Sequence, residues 1–200
     1  SRCTEACSYT QGYYGGTGKN CQGKSASGPN GVIATALSQG NLTIGTTGHS
    51  ITFLTTEASC LGGKLPAGST SVQLPSGNVA SCATIPNNSN YLLSGKLKSN
   101  LAGQLITLQL SIRNGSGLGN ILVTGPYVTT YKASSCTNGV AVAGTKIVKG
   151  PIAASIFTAL GSSFTVNQLW TAANNALGNG STSPSLTEWG NAVEIGRAHV

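Results

Sequence analysis

Apolar side chains recur at helical spacing in two stretches near the C-terminal end of the chain, residues 165–177 and 185–200. Residues three and four positions apart lie on one face of a helix, so each stretch has an apolar face. The apolar positions are Val166, Leu169, Trp170, Ala173 and Leu177 in the first stretch and Leu186, Trp189, Val193 and Ile195 in the second. Gly178 follows the first as a stop, and Ser185 with Glu188 has the spacing of a capping box. Two helices are therefore predicted to close the chain.

Strands are predicted in the middle of the chain, where apolar positions alternate or run together. Residues 42–45 and 50–55 are apolar or alternating and are separated by the turn-like sequence TTGH, which indicates a hairpin. Residues 120–132 and 140–148 are rich in Val, Ile, Thr and Tyr, which favour strands.

Two further segments are interpreted as helical. Residues 32–40 show a short helical pattern that Gly40 ends. Residues 101–113 fit both a helical stripe and a strand face. Asn100 as a candidate N-cap, together with the Gln and Leu content, favours a helix there, and a strand stays the alternative.

This order of elements predicts an α+β fold, with a β-rich core stapled by disulfides, short helices and a helical C-terminus. An all-β sandwich with peripheral helices is the alternative. A single domain over residues 1–200 is expected, because this length suffices for one core and no linker divides the chain. Residues 1–24 form its Cys- and Tyr-rich N-terminal segment, residues 25–160 its β-rich core and residues 161–200 its helical C-terminal segment.

The low charge of the chain changes the picture of its surface. Only 8% of the residues are charged, none is aspartate, and the formal net charge is +7. An ordinary soluble domain is about a quarter charged. Attached sugar, neighbouring copies of the chain, or a dense skin of Ser, Thr and Asn must therefore cover the exterior, which favours an extracellular structural protein.

The distribution of charge excludes other partners. Nucleic-acid modules concentrate basic residues on one face among aromatics, whereas here they are scattered, so no nucleic-acid partner is expected. Weak attraction to an acidic extracellular polysaccharide is the more modest inference. No apolar run reaches the roughly 18 to 20 residues of a membrane helix, so no membrane span is expected.

The cysteines indicate an oxidising, extracellular compartment. They are even in number, lie among Gly, Ser, Thr and Asn, and include no CxxC pair. With only two histidines in the chain, three disulfides are favoured over a metal site or a reactive thiol. Spacing does not select the connectivity, although the first three are close enough for a local bridge. The disulfide candidates are Cys3, Cys7, Cys21, Cys60, Cys82 and Cys136.

Catalysis needs titratable groups, and this chain has few. The absence of aspartate excludes an Asp-containing triad or an aspartyl dyad. A secreted hydrolase, the third interpretation, would need two of the four glutamates or His49 to converge in a cleft. Glu188 already has a capping role, and the carboxylates do not cluster as calcium requires. No enzymatic activity, cofactor or metal site is predicted.

The sequence carries a more specific signal for glycosylation than for catalysis. Asn-x-Ser/Thr sequons begin at Asn41, Asn87, Asn114 and Asn179, and all four fall in predicted loops or element edges. Such triplets also arise by chance in a chain rich in Asn, Ser and Thr, and hydroxyl-linked glycans are an equal alternative. Covalent glycans would supply the solvation that the missing charge does not.

A set of sequence blocks carries a resemblance to known proteins. The run CSYTQGYYGG, with GNLTIG…SITF, KLPAG…LPSGN, LAGQLITLQLSI and FTVNQLWTAANNALG downstream, resembles a group of poorly characterised secreted bacterial surface proteins. That group has a Cys-[Ser/Thr]-Tyr-Thr-Gln-Gly-Tyr opening and the same order of blocks over nearly the whole length. The resemblance implies export and a cell-surface or extracellular setting, with no reaction and no catalytic residues. The chain departs from the group at its end, GRAHV, which has no closing cysteine.

Together these observations predict a secreted, glycosylated structural subunit that self-assembles into an extracellular filament, tubule, sheath or matrix. Its expected partners are copies of itself, covalent glycans and, as a weaker inference, extracellular polysaccharide. The alternative is a carbohydrate-binding or adhesive surface module. Exposed aromatic rings would favour sugar stacking, whereas rings buried in the core or between subunits would favour assembly. The aromatic candidates for either role are Tyr9, Tyr13, Tyr14 and Trp189.

Overall fold

The computed structural model describes residues 7–115 and 117–197. The helices in chain order are α1 (Gln11–Gly15), α2 (Val32–Leu37), α3 (Ala58–Gly63), α4 (Asn100–Asn114), α5 (Ala154–Leu160), α6 (Val166–Asn179) and α7 (Leu186–Gly196). The strands are β1 (Leu42–Thr46), β2 (His49–Phe53), β3 (Gly77–Val79), β4 (Leu92–Leu93), β5 (Lys96–Leu97), β6 (Leu122–Val123), β7 (Val128–Thr137), β8 (Val140–Lys149) and β9 (Phe164–Thr165). The predicted α+β class is confirmed, and the chain does not adopt the alternative all-β sandwich.

Helix α4 lies at the centre of the molecule. Its residues from Leu101 to Leu108 are all buried, and α1, α2, α6 and α7 pack around it. A helix that is buried on every side has apolar residues around its whole circumference. Such a sequence has no single apolar stripe, which explains why it also fits a strand face. The predicted helix is confirmed, with one correction: the N-cap is Ser99, whose hydroxyl accepts a hydrogen bond from the Ala102 amide, and Asn100 is the first helical residue.

The two predicted C-terminal helices are present as α6 and α7. Each begins with a capping box, formed by Thr165 with Gln168 in α6 and by Ser185 with Glu188 in α7. Gly178 does not end α6, which continues to Asn179. A Cβ at Gly178 would lie 2.1 Å from the Thr46 hydroxyl, so this glycine lets α6 approach β1 closely.

Strands β1, β2 and β3 form a sheet in that order, with β1 antiparallel and β3 parallel to β2. The predicted hairpin is confirmed, although His49 pairs with Thr46 as part of β2 and does not lie in the turn. The free edge of β1 is covered by α6, because the Asn174 side chain accepts from the Gly45 amide at 2.7 Å and donates to its carbonyl at 3.1 Å. This amide takes the place of a neighbouring strand.

Strands β7 and β8 form a long antiparallel hairpin, which we call the arm (residues 128–149). Its turn consists of Asn138 and Gly139, both with positive φ, as a two-residue hairpin loop requires. Of the arm residues only Val128 is buried. The strand expected over residues 120–132 is divided into β6 and β7, because Pro126 between them fixes its own φ and has no amide hydrogen for a ladder.

The hydrophobic core draws on all three segments predicted from the sequence. Tyr14 comes from the N-terminal segment, Phe53 and Leu105 from the middle, and Leu177 and Val193 from the C-terminal segment. These side chains belong to one buried cluster, so the described segments share a core. The arm contributes little to it.

Candidate binding groove

Disulfides connect distant parts of the fold. Cys21 bonds Cys136 across 115 residues, and Cys60 bonds Cys82 across 22 residues. Cys7 is also disulfide-bonded, and Cys3 lies outside the described residues. No cysteine in the described part of the chain is free, as the oxidised state predicts.

The Cys21–Cys136 bond ties the arm to the N-terminal segment and shapes a groove between them. Cys136 stands two residues before the Asn138 turn, so the bond holds the arm close to its tip. The groove encloses about 1000 Å³ and is walled by residues 7–24 of the N-terminal segment, α2, the C-terminal end of α4 and the arm. This volume is at the upper end of ordinary ligand sites, which span roughly 300–1,000 Å³.

Two stacked tyrosines form one wall of the groove. The rings of Tyr9 and Tyr13 lie with centroids 4.4 Å apart and 25° between their planes. Tyr14 meets both rings edge-on and is fully buried, with its hydroxyl 2.9 Å from the Ser111 hydroxyl on α4. The pair is therefore held against the core by its neighbour in sequence.

Hydrogen bonds fix the tyrosine hydroxyls as well. Tyr13 donates to the Lys24 carbonyl at 3.0 Å, and the Tyr9 hydroxyl accepts from the Asn20 side chain at 3.2 Å. Partial burial, followed by the neighbouring Tyr9, raises the pKa of Tyr13 to about 12. Its phenol consequently stays protonated at physiological pH. The Tyr13 hydroxyl hydrogen is thus engaged, and the pair offers a ligand its outer ring faces and the hydroxyl hydrogen of Tyr9.

The charge of the groove is positive. Lys19 and Lys24 are exposed on its N-terminal wall, and none of its lining residues in the described part of the chain is acidic. The Arg113 guanidinium is already engaged, because it donates to the carbonyls of Ala36, Gly40 and Asn41 and so caps the end of α2. Partial burial lowers the pKa of Arg113 from its ordinary value, and it remains a cation.

The aromatic residues singled out from the sequence separate into two pairs. Tyr9 and Tyr13 line the groove and are half-buried. Tyr14 is 0% exposed and Trp189 is 4% exposed, so neither ring can stack on a sugar or contact a neighbouring molecule in this fold. Of the four, only Tyr9 and Tyr13 can therefore reach a partner. Two tyrosines not named from the sequence, Tyr127 and Tyr131, are also exposed, and Tyr131 of the arm lines the groove.

The sequons also differ in access. Asn41, Asn87 and Asn179 are exposed. Asn114 lies in the groove wall, where its side-chain nitrogen donates to the Val32 carbonyl at 3.1 Å. That nitrogen is the atom an N-linked glycan would modify, and since one of its two hydrogens is donated to Val32, only the other is open to replacement by sugar.

Two of the acidic residues, Glu57 and Glu188, have structural roles. Glu57 accepts from the amides of Leu54, Cys82 and Ala83, each at 2.9 Å, and so connects the turn after β2 to the turn at Cys82. Partial burial acts to raise the pKa of Glu57, but the three amides outweigh it and hold that pKa below its ordinary value. Glu57 is therefore ionised at neutral pH, and its carboxylate holds the two turns together.

Glu57 also lies beside the sulfurs of Cys60 and Cys82, with the three ligand-type atoms within 4.8 Å of one another. The two sulfurs are bonded to each other, and a disulfide offers no thiolate to a metal ion. Glu188 serves its capping box and accepts from Ser155, and His49 contacts the Leu74 carbonyl through Nδ1 at 2.9 Å. These arrangements show no pair of carboxylates poised over a cleft in residues 7–115 and 117–197.

The groove is the feature that the sequence did not reveal. Its walls depend on the pairing of Cys21 with Cys136, for which no local pattern exists. One local signal was available: Asn138-Gly139 between two strand-like runs indicates a tight hairpin, and it would have extended the predicted strand to Thr137.

Comparison with known proteins gives no match to a family model, to a curated protein or to a solved structure. Within the described residues, no helix is both long and apolar enough to cross a bilayer. Any functional assignment must therefore come from the geometry of the arm and the groove.

Proposed function

We propose that the protein is a secreted structural subunit that self-assembles into an extracellular filament, tubule, sheath or matrix. The observation that carries this proposal is the arm. Its strands pair with each other and with no other strand of the described chain, and nearly all of its side chains are exposed or half-buried. A long unpaired edge presents free amide and carbonyl groups that another chain can bind.

The two edges of the arm differ, which suits an open polymer. One edge belongs to β7 and the other to β8. When the β8 edge of one copy pairs with the β7 edge of the next, the pair still has two free edges. These are β7 of the first copy and β8 of the second. Such a heterologous contact builds an open polymer when the rotation from one copy to the next does not close a ring. Strand addition of this kind is a common mode of protein recognition.

The contrast with β1 supports this interpretation. The edge of β1 is covered by the Asn174 amide, so the body of the protein does protect a sheet edge. The arm has no comparable cover from the described residues. What it does carry is lysine: Lys132 on β7 and Lys146 and Lys149 on β8.

These lysines make assembly dependent on salt. Like charges on adjacent edges repel one another, and lysine is a residue that proteins use to weaken edge association. Salt screens such exposed charges over about 8–10 Å at physiological ionic strength. We therefore expect arms to remain separate at low ionic strength and to pair when salt or a polyanion neutralises them.

Secretion and glycosylation complete the proposal. Disulfides spanning the fold suit an oxidising compartment. Glycans at the exposed Asn41, Asn87 or Asn179, or on loop hydroxyls, would solvate a surface with little charge. Peptide mass mapping of native secreted material tests this, and a mass equal to that of the oxidised polypeptide would exclude it.

Self-assembly is tested by removing the arm. Replacing residues 129–148 by two glycines joins Val128 to its register partner Lys149, and Cys21→Ser removes the thiol left behind. The only buried arm side chain, Val128, is retained. The parent is expected to form particles in salt by electron microscopy and sedimentation, and the armless protein to remain a folded monomer.

The matched control is Cys21→Ser/Cys136→Ser, which keeps the arm and loses the same disulfide. This control should still assemble, because pairing between copies adds strands to a hairpin that is only marginally stable alone. A parent that sediments as a monomer across a wide range of concentration and salt would refute the proposal. So would an armless protein that assembles like the parent.

A further inference from the structure

We propose that the groove between the N-terminal segment and the arm binds an acidic oligosaccharide, with sugar rings against its tyrosines and carboxylates at its lysines. This inference concerns a different surface from the strand edges of the arm. It therefore does not rest on self-assembly, and each can fail without the other.

The size and walls of the groove fit a short glycan. A volume of about 1000 Å³ exceeds what a single sugar fills and matches a ligand of several rings. Aromatic rings lie on both sides, with Tyr9 and Tyr13 on the N-terminal wall and Tyr131 on the arm. The apolar C–H faces of sugar rings stack on such aromatic surfaces.

The aromatic wall is pre-organised. Buried Tyr14 supports the stacked pair from behind, and the Tyr9 backbone amide donates to the same Ser111 hydroxyl that Tyr14 contacts. Asn20 fixes the following loop, since its side-chain oxygen accepts from the amides of Gln22 and Lys24, each at 3.0 Å. A ligand would consequently find the rings already in place and lose little freedom in ordering them.

The charge of the groove selects an acidic glycan. The ammonium groups of Lys19 and Lys24 are exposed, whereas the Arg113 guanidinium is occupied by three carbonyls. None of the described lining residues is acidic, so the charged groups among them attract a carboxylate that enters the groove. Hydroxyl groups of the sugar can bond to the side chains of Gln22 and Thr35, which also line the groove.

A nucleic acid fits the same surface less well. Binding to a phosphate backbone depends on many cations, each neutralising one phosphate. The groove offers two free lysines, a third cation in Arg113 that is already bonded to backbone carbonyls, and the ring faces of a tyrosine pair. Sparse charge with flat aromatic surface is the combination that suits a uronic acid chain.

The test is calorimetric titration of the oxidised full chain with a short oligogalacturonate. Neutral malto-oligosaccharide of the same length, inorganic polyphosphate and a short single-stranded DNA are the comparison probes. We expect oligogalacturonate to bind and the other three to bind at least tenfold more weakly. Equal binding of the neutral sugar would overturn the acidic assignment, and equal binding of polyphosphate or DNA would show a general polyanion surface instead.

Two variants locate the site. Lys19→Gln/Lys24→Gln removes the free cations, and roughly tenfold weaker binding is expected from the loss of charge-assisted hydrogen bonds. Lys96→Gln/Lys98→Gln changes the net charge equally, away from the groove, and should leave binding unchanged. If both pairs weaken binding alike, net charge alone is responsible and the proposal fails.

A third variant guards against a folding defect in the lysine pair. Tyr131→Ala removes an exposed ring on the arm and leaves the charge and the core intact. It should weaken oligogalacturonate binding severalfold without changing the thermal midpoint of unfolding. Unchanged affinity in this variant would remove the arm from the binding site and overturn the groove assignment.

Discussion

The body and the arm of this protein are stabilised in different ways. In the body, α4 is buried on every side, helices begin with capping boxes and the β1 edge is covered by Asn174. In the arm, two strands support each other, a single side chain is buried, and one disulfide holds the tip to the N-terminal segment. An isolated two-stranded hairpin is marginally stable in water. The contrast indicates that packing stabilises the body whereas a covalent bond positions the arm.

The largest loss of stability is expected from a cavity in the core of the body. Leu105→Ala on α4 removes a fully buried side chain and should lower the free energy of unfolding by about 2–5 kcal/mol. The matched change in the arm, Val148→Ala, affects a side chain that is 60% exposed and should cost less than about 0.5 kcal/mol. Chemical denaturation of both variants measures the difference. Similar losses would mean that the arm is part of the cooperative core.

The variant Cys21→Ser/Cys136→Ser tests whether the disulfide holds the arm in place. A long-range disulfide restricts the unfolded chain, and its loss should cost about 2–4 kcal/mol. The sharper readout is hydrogen exchange of the arm amides. We expect protection to fall across residues 129–148 while that of α4 is unchanged at low denaturant. Retained protection in the arm would show that its strands are stable without the bond.

A smaller effect is expected at Glu57, which stabilises the body through an ionised group. Its pKa is lowered in the folded state, so its contribution is complete above the ordinary carboxyl pKa and is lost as pH falls through the lowered value. Glu57→Gln should therefore cost about 1 kcal/mol at neutral pH and nothing at strongly acid pH.

The measurement for Glu57 is the thermal midpoint of parent and variant across an acid pH series. The two curves should converge as the pH falls. A constant gap between them would show that the shape of the side chain, and not its charge, provides the stability. Glu188→Gln is a useful comparison, because that glutamate is likewise half-buried and its pKa is likewise lowered by hydrogen bonds, which it accepts from Ser185 and Ser155.

Local patterns predicted the elements whose causes are local. The apolar stripes of α6 and α7, the Ser185 capping box and the hairpin of β1 and β2 were all readable from neighbouring residues. Secretion, self-assembly and glycosylation stay predictions that the proposed experiments must decide.

The groove was not readable, because its parts are brought together by tertiary structure. Tyr13 and Tyr14 are adjacent in sequence, yet one lines the groove and the other is fully buried against Ser111. Their difference depends on where α1 meets α4. The pairing of Cys21 with Cys136 depends on the path of 115 residues, and neither composition nor spacing contains it.

The tie between Cys21 and Cys136 also determines how the molecule would respond to mechanical tension. In an assembly joined through the edges of its arms, a pulling force enters each subunit along β7 and β8. Without the tie, that force would reach the body only through the base of the arm, at Val128 and Lys149. With it, part of the force passes from Cys136 to Cys21 through a covalent bond. The tie thus gives the arm a second attachment to the body, close to its tip.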